Sequence, residues 1–354
     1  MRACTRTHQS LYERHSGGTL IFVNAVAFHR TVRLLATLGP KREFFYSLVR
    51  RVNEMSTGGF TSHYFLILNL LSPSELQSSK AIADEIIDAQ IAQEEALPVV
   101  VRNCISKDQL SEALDQAELR LRTQGEIPII HLDGHSDRDC VHLPSGPSVA
   151  WSEVFQRLRV LNVLACNNIF LTCGACESAY ALQGSEIIYP SPVFGLLAPV
   201  TKVQAGDVTD GFRAFYRTLI ETSDGPTALE KFMAKVDSSQ YSVLFSAALF
   251  EKSAAKYIDQ HCRGQGRLRR QEALLTRAVQ EVPNIDIKQA RKKIKTALRQ
   301  DAAESLREMF RTYLILDSCP KNVARFPFRR ARIHELARRE RLAKQSSQRS
   351  KLRG

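Results

Sequence analysis

The middle of the chain alternates continuous apolar runs with amphipathic segments. Three such runs occupy residues 64–71, 97–104 and 127–132. Runs of this length and composition are typical of strands buried on both faces of a parallel sheet. The sequences that begin at Ser72 and Ser106 each combine an N-cap serine with a glutamate or glutamine three residues later, which predicts helices to about residues 95 and 122. This alternation predicts an α/β fold with a mostly parallel central sheet and helices on both faces.

The same pattern continues toward the C-terminus. Residues 149–163 have the apolar spacing of a helix, and residues 168–173 form another apolar run that ends in a cysteine. If this helix crosses over one face of the sheet, the strands before and after it are parallel neighbours and their carboxyl ends meet. Farther on, the pattern predicts a strand within residues 193–203, helices over 207–220 and 226–236, and an apolar segment of undecided type over 241–250.

A histidine and a cysteine follow the two strands that are predicted to be neighbours. His135 ends the sequence His-Leu-Asp-Gly-His at 131–135, and Cys176 lies in Ala-Cys-Glu-Ser at 175–178. Open α/β sheets place their reactive side chains at the carboxyl edge, so the two residues are predicted to lie side by side. A thiol at the start of a helix and beside an imidazole has the surroundings of an activated nucleophile.

These two motifs resemble those of the caspase-like superfamily of cysteine proteases, and most closely those of the CHAT proteases. The resemblance covers roughly residues 61–250, where it implies a three-layer caspase-like sandwich. It implies that His135 is the catalytic base, that Cys176 is the nucleophile, and that the backbone N–H groups of Ser136 and Cys176 hold the oxyanion. It implies no metal and no organic cofactor. The family usually has glycine where this chain has Ser136 and Ala179.

The function that the resemblance implies is cleavage of a protein substrate by a cysteine endopeptidase, in some relatives only after a regulatory partner has bound. Relatives that cleave after basic residues line their specificity pocket with acidic side chains. Asp207 and Asp210 are the first candidates for that role here, and Glu177 is a further one. A simpler interpretation of Asp207 is that it caps a helix.

The charge of the chain is concentrated at its C-terminal end. The net charge is +12, and residues 263–354 hold 25 Lys and Arg against 9 Asp and Glu. We therefore predict an irregular segment over 1–60, the protease-like domain over 61–250, and a basic helical extension over 251–354 with a disordered end. The extension could contact nucleic acid or an acidic partner through its charge, although no recognition motif is visible in it.

Three other interpretations use the same residues. A catalytically silent caspase-like protein could act by binding alone, with the basic tail as its contact surface. Cys173 and Cys176 form a Cys-x-x-Cys motif, which is the sequence of a thioredoxin-type redox site and leaves Cys173 as a second candidate nucleophile. The same pair together with His131 and His135 could bind zinc. By itself, His131 is expected to be a core residue, as are Cys104 and Cys166.

The cysteines and the hydropathy bear on the location of the protein. Eight cysteines at irregular spacings do not resemble a disulfide framework, and no apolar run reaches the roughly 18 residues of a transmembrane helix. A reducing cytoplasm and no contact with a membrane are therefore expected.

Overall fold

The computed structural model describes residues 20–21, 59–94, 97–184, 186–281, 285–300 and 302–351. Most of the segment 1–60, which we predicted to be irregular, lies outside these ranges. Within it, the two-residue strand β1 (Leu20–Ile21) pairs antiparallel with β2 (Thr61–Ser62).

Six strands form the central sheet, and each comes from one of the apolar runs. They are β3 (Tyr64–Asn69), β4 (Val99–Asn103), β5 (Pro128–Asp133), β9 (Phe170–Cys173), β10 (Gly195–Pro199) and β11 (Tyr241–Phe245). Their order across the sheet is β11-β10-β9-β5-β3-β4. All neighbouring pairs are parallel except β10 with β11, which is antiparallel. The prediction of an α/β fold with a mostly parallel central sheet is confirmed.

A small antiparallel sheet follows β5 at the carboxyl edge. Its strands are β6 (His135–Ser136), β7 (Cys140–His142) and β8 (Ser148–Ala150), in that order. The turn between β6 and β7 is closed by Asp137, whose carboxylate accepts hydrogen bonds from the N–H groups of Asp139 and Cys140. This sheet leads the chain from the histidine to the helix that crosses over to β9.

Helices cover both faces of the central sheet. Between the strands lie α1 (Ser78–Ala92), α2 (Lys107–Gln124), α3 (Trp151–Leu164), α4 (Ala205–Thr222) and α5 (Gly225–Lys235). After β11 come α6 (Ser246–His261), α7 (Gly264–Glu281), α8 (Ile287–Gln300), α9 (Ala302–Tyr313), α10 (Asn322–Arg325) and α11 (Arg330–Lys351). Helix α11 extends through the Ser/Gln/Arg segment for which the sequence predicts disorder.

The two faces of the sheet bury separate apolar cores, because side chains alternate between the faces along each strand. Ile67 of β3 joins the core made with α1, α4, α5 and α6, whereas Leu68 joins the core made with α2 and α3. The fold therefore has three layers, with the central sheet between two layers of helices. Phe310 of α9 and Ile333 of α11 belong to the first of these cores, so C-terminal helices pack against the same side of the sheet as α6.

The helix predicted from Ser72 begins six residues later, at Ser78. Glu75 does reach back to accept a hydrogen bond from the Ser72 N–H at 2.6 Å, as the capping sequence predicts. That bond closes a turn rather than a helix, and Ser78 and Ser79 donate their hydroxyls to Asp133 instead. The second capping sequence behaves as predicted, because the Ser106 hydroxyl accepts from the Gln109 N–H at the start of α2.

Cys166 is a correction to the sequence analysis. We expected it to be a core thiol, but it forms a disulfide with Cys319, 153 positions away, while Cys104 is a fully buried free thiol as expected. Asn322 and Arg325 also donate hydrogen bonds to the Cys166 carbonyl oxygen, each at 3.1 Å. The segment that follows α9 is thus tied to the loop between α3 and β9, at the amino end of that strand.

Within the described ranges, none of the helices combines the length and the apolar character that are needed to cross a bilayer.

Candidate functional site

Adjacent parallel strands bring the two candidate residues to one edge of the sheet. In the β5–β9 ladder Leu132 is the partner of Cys173, and the Gly174 N–H donates to the Leu132 carbonyl oxygen at 2.8 Å. His135 follows the end of β5 by two residues, and Cys176 follows the end of β9 by three. Both residues therefore leave the sheet at the carboxyl ends of neighbouring strands, where α/β sheets carry their sites.

Two glycines make the close approach at this edge possible. A Cβ atom on Gly134 would lie 2.8 Å from the Leu70 Cβ, so only glycine lets the histidine turn pack against the loop after β3. A Cβ atom on Gly174 would lie 2.8 Å from the Asp133 Oδ1 atom and 2.9 Å from the Val208 side chain. Gly174, directly after the end of β9, thus gives room for a buried carboxylate and for the first turn of α4.

The residue after the histidine is bonded to the cysteine. The Ser136 hydroxyl donates to the Cys176 carbonyl oxygen at 2.5 Å, which joins the histidine turn directly to the cysteine loop. Neither the N–H nor the thiol of Cys176 has a hydrogen-bond partner in the part of the chain that the structure describes. The N–H group is therefore available to a ligand.

The two cysteines of the Cys-x-x-Cys motif differ in their surroundings. Cys176 is partly exposed, whereas Cys173 points into the core that α2 and α3 form. Burial raises the pKa of the Cys173 thiol to about 12, so this sulfur is held as a neutral thiol. Both cysteines are free. The geometry favours Cys176 as the reactive residue and leaves Cys173 with a packing role.

The His135 imidazole is exposed, and its Nε2 atom is 2.5 Å from the Glu75 Oε1 atom. Glu75 lies in the loop after β3, 60 positions earlier. The hydrogen bond with His135 is the main cause that lowers the pKa of Glu75, and the Ser72 N–H is the second. The sequence around Glu75 indicates only a capping role, because nothing in its local pattern indicates a contact with a distant histidine.

His131 is a core residue, as expected. Its Nδ1 atom is 2.8 Å from the Thr172 hydroxyl, which in turn is 2.6 Å from the Tyr216 hydroxyl, while Nε2 has no partner among the described residues. Burial lowers the pKa of His131 to about 4, and the nearby Asp133 carboxylate opposes that shift. The ring is therefore neutral at physiological pH and does not face the cysteine loop.

The three acidic candidates have different positions. Asp207 and Asp210 are exposed near the start of α4, and neither has a hydrogen-bond or ionic partner within the described ranges. The N-cap of α4 is Gln204, so Asp207 is not the capping residue. Glu177 instead accepts a hydrogen bond from the Arg138 Nε atom at 3.1 Å, so its charge is already paired.

Tyr241 is a residue of this region that the sequence analysis did not identify. It begins β11, is 3 % exposed, and its hydroxyl has no hydrogen-bond partner in the described parts of the chain. Burial raises the pKa of its phenol. Its partner in the β10–β11 ladder is Pro199, the last residue of β10, so Tyr241 lies at the carboxyl edge of that strand. The sequence gives no signal for this residue, because its position near the site depends on the pairing of β11 with β10.

The zinc alternative receives no support from the side-chain positions. Among the described residues, no three His, Cys, Asp or Glu side chains are grouped as metal ligands would be. His131 bonds to Thr172 in the core, whereas His135 bonds to Glu75 at the surface, so the two histidines do not share one ligand position.

No protein-family model matches the chain, and no curated protein is similar enough in sequence to count as a relative.

Proposed function

We propose that this chain is a cysteine endopeptidase in which Cys176 is the nucleophile and His135 is the base. The observation that carries the proposal is the position of both residues at the carboxyl ends of the adjacent strands β5 and β9, with Ser136 bonded to the Cys176 carbonyl group. The resemblance to caspase-like and CHAT proteases assigns the same two residues the same roles. This position also supports a caspase-like form of the α/β fold.

The chemistry follows from the groups at this edge. The Cys176 sulfur attacks the carbonyl carbon of the peptide bond, and the proton taken up by His135 passes to the leaving amine. A water molecule gives a proton to His135 as it attacks the resulting thioester, the C–S bond breaks, and the Cys176 sulfur leaves and takes that proton back from His135. The free Cys176 N–H is suited to bind the oxyanion of both tetrahedral intermediates. The Ser136 hydroxyl helps to hold this N–H in place, because it binds the carbonyl group of the same residue.

A basic residue is the side chain that best fits the surroundings of Cys176. Asp207 is exposed and has no ionic partner among the described residues. It precedes Val208, whose side chain packs at Gly174, two residues before Cys176. A positively charged substrate side chain could pair with Asp207. Glu177 is not available for this role, because it is already paired with Arg138. We therefore propose cleavage after lysine or arginine.

A peptide-library cleavage profile tests both proposals. The parent chain should cleave after lysine or arginine, Cys176→Ala should abolish all cleavage, and Asp207→Asn should reduce the preference for basic residues by about tenfold or more. Thr209→Ala on the same turn of α4 is the matched control and should keep the preference. Cleavage that survives Cys176→Ala would contradict the activity, and an unchanged profile in Asp207→Asn would contradict the specificity.

One observation favours a second candidate function, contact with nucleic acid. Four lysines of α8 are exposed and have no acidic partner in the described ranges: Lys288, Lys292, Lys293 and Lys295. Such a surface would bind phosphates without sequence preference. Fluorescence anisotropy with a short DNA duplex should then show an affinity that falls steeply with salt and is lost in Lys292→Glu/Lys293→Glu. Equal affinity of parent and variant would contradict it.

A further inference from the structure

The loop after β3 is built to hold Glu75 in place. The Glu75 Oε2 atom accepts the Ser72 N–H at 2.6 Å, and the Gln77 side chain donates to the carbonyl oxygens of Ser72 and Glu75. Gln77 is in turn bonded to the Asn69 side chain at the end of β3. One oxygen of the carboxylate is thus fixed to its own loop, which leaves the other, Oε1, for His135.

The loop is also pressed against the histidine turn. The Leu70 N–H donates to the Asp133 carbonyl oxygen at 2.8 Å, and Gly134 packs on the Leu70 side chain. These contacts therefore hold the loop that carries Glu75 beside the turn that carries His135.

The contact determines which nitrogen of the ring can serve as the base. An imidazole that donates its Nε2 proton to a carboxylate carries its lone pair on Nδ1, and a second proton taken up at Nδ1 is stabilised by the same carboxylate. The base of a nucleophilic site is commonly oriented by a third group in this way. The titratable groups on the neighbouring elements are the cross-strand partner His142, Asp137, which is 3.1 Å from His142, and Cys176, whose loop is bonded to Ser136.

We infer that Glu75 is the positioning residue of His135: it binds Nε2, turns Nδ1 toward Cys176 and stabilises the imidazolium, so that the site is a Cys–His–Glu arrangement. This inference rests on the proposed roles of His135 and Cys176. It adds a residue from a third strand end, because Glu75 follows β3, His135 follows β5 and Cys176 follows β9.

The test is the pH dependence of Cys176 alkylation by iodoacetamide in the full-length chain, followed by mass spectrometry of the peptide that contains Cys176. Glu75→Gln keeps the size of the side chain and removes its charge. We expect its alkylation rate to be about tenfold below that of the parent at pH 6 and to approach the parent rate above about pH 9, where a thiolate forms without an imidazolium. Ser74 lies in the same loop, and its hydroxyl is 3.1 Å from that of Ser72, so Ser74→Ala is the control and should follow the parent at every pH.

Coincident pH profiles of the parent and Glu75→Gln would overturn the inference. A second measurement needs no variant: in the ¹⁵N chemical shifts of His135 in the parent, Nε2 should carry the proton of the neutral ring. A neutral ring protonated at Nδ1 would overturn the inference. Neither result depends on peptide cleavage. A parent chain with the expected tautomer but no cleavage would contradict the proposed endopeptidase and leave the role of Glu75 standing.

Discussion

The Ser136 hydroxyl donates a hydrogen bond of 2.5 Å to the carbonyl oxygen of Cys176. This bond joins the turn after β5 to the loop after β9, at the position where the caspase-like resemblance leads one to expect glycine. A backbone N–H is present with either residue, so serine keeps the proposed oxyanion donor. In addition, its side chain holds the peptide group of the nucleophile, which glycine could not do.

Removal of this hydroxyl should loosen the site without abolishing it. A hydrogen bond of this kind contributes about 1 kcal/mol, so Ser136→Ala should slow the labelling of Cys176 by a cysteine-directed peptide electrophile by about fivefold. Ser136→Gly should behave in the same way, since it also lacks the hydroxyl. The measurement is the rate of labelling at one pH, with the exposed residue Ser145 changed to alanine as the control. A rate that is equal to that of the parent would show that the bond does not hold the loop.

Acid should destabilise the folded chain through His131. Burial lowers the pKa of this histidine to about 4, whereas in the unfolded chain it is near the ordinary value of 6.5. Between these values the unfolded state binds the proton and the folded state does not. The free energy of unfolding therefore falls as the pH is lowered from about 6.5 to about 4, by up to about 3 kcal/mol.

Urea unfolding of the parent and of His131→Leu at several pH values measures this contribution. As the pH falls through this window, the free energy of unfolding should decrease more in the parent than in His131→Leu. His261→Gln, at an exposed position on α6, is the control and should keep the parent's pH dependence. A pH dependence that is the same in His131→Leu and in the parent would contradict the assignment.

Reduction of the Cys166–Cys319 disulfide should destabilise the chain. The bond closes a loop of 153 residues, and disulfides that close long loops typically contribute about 2–5 kcal/mol. Unfolding should therefore occur at a lower urea concentration in dithiothreitol than without it, and Cys319→Ala should show no further effect of the reductant. An unchanged midpoint in the parent would indicate that the bond does not form. Its formation would not favour a reducing cytoplasm, where disulfides are rare.

The sequence was most informative where structure depends on local pattern. Apolar runs of four to eight residues located the strands, and the Ser106 capping sequence located the start of α2 within one residue. The positions of His135 and Cys176 at one sheet edge followed from a crossover helix between two parallel strands. This inference needs only element order and the handedness of such connections.

The features that the sequence did not predict depend on contacts between distant segments. The Ser72 capping sequence is satisfied in a turn, because Ser78 and Ser79 are drawn to Asp133 on a neighbouring strand, and α1 therefore begins later. The role of Glu75 depends on the loop after β3 being pressed against Gly134. The disulfide requires the segment after α9 to dock beside the loop between α3 and β9. None of these contacts has a signal in the local sequence.

The most direct test of the account is whether the reactivity of Cys176 depends on His135. A peptide electrophile, such as a lysyl chloromethyl ketone, is incubated with the folded chain, and the labelled cysteine is identified by mass spectrometry. We predict that the parent and Cys173→Ala are labelled at Cys176, and that His135→Ala is labelled at least about 100-fold more slowly. Equal labelling rates in His135→Ala and the parent would contradict the proposed catalytic pair.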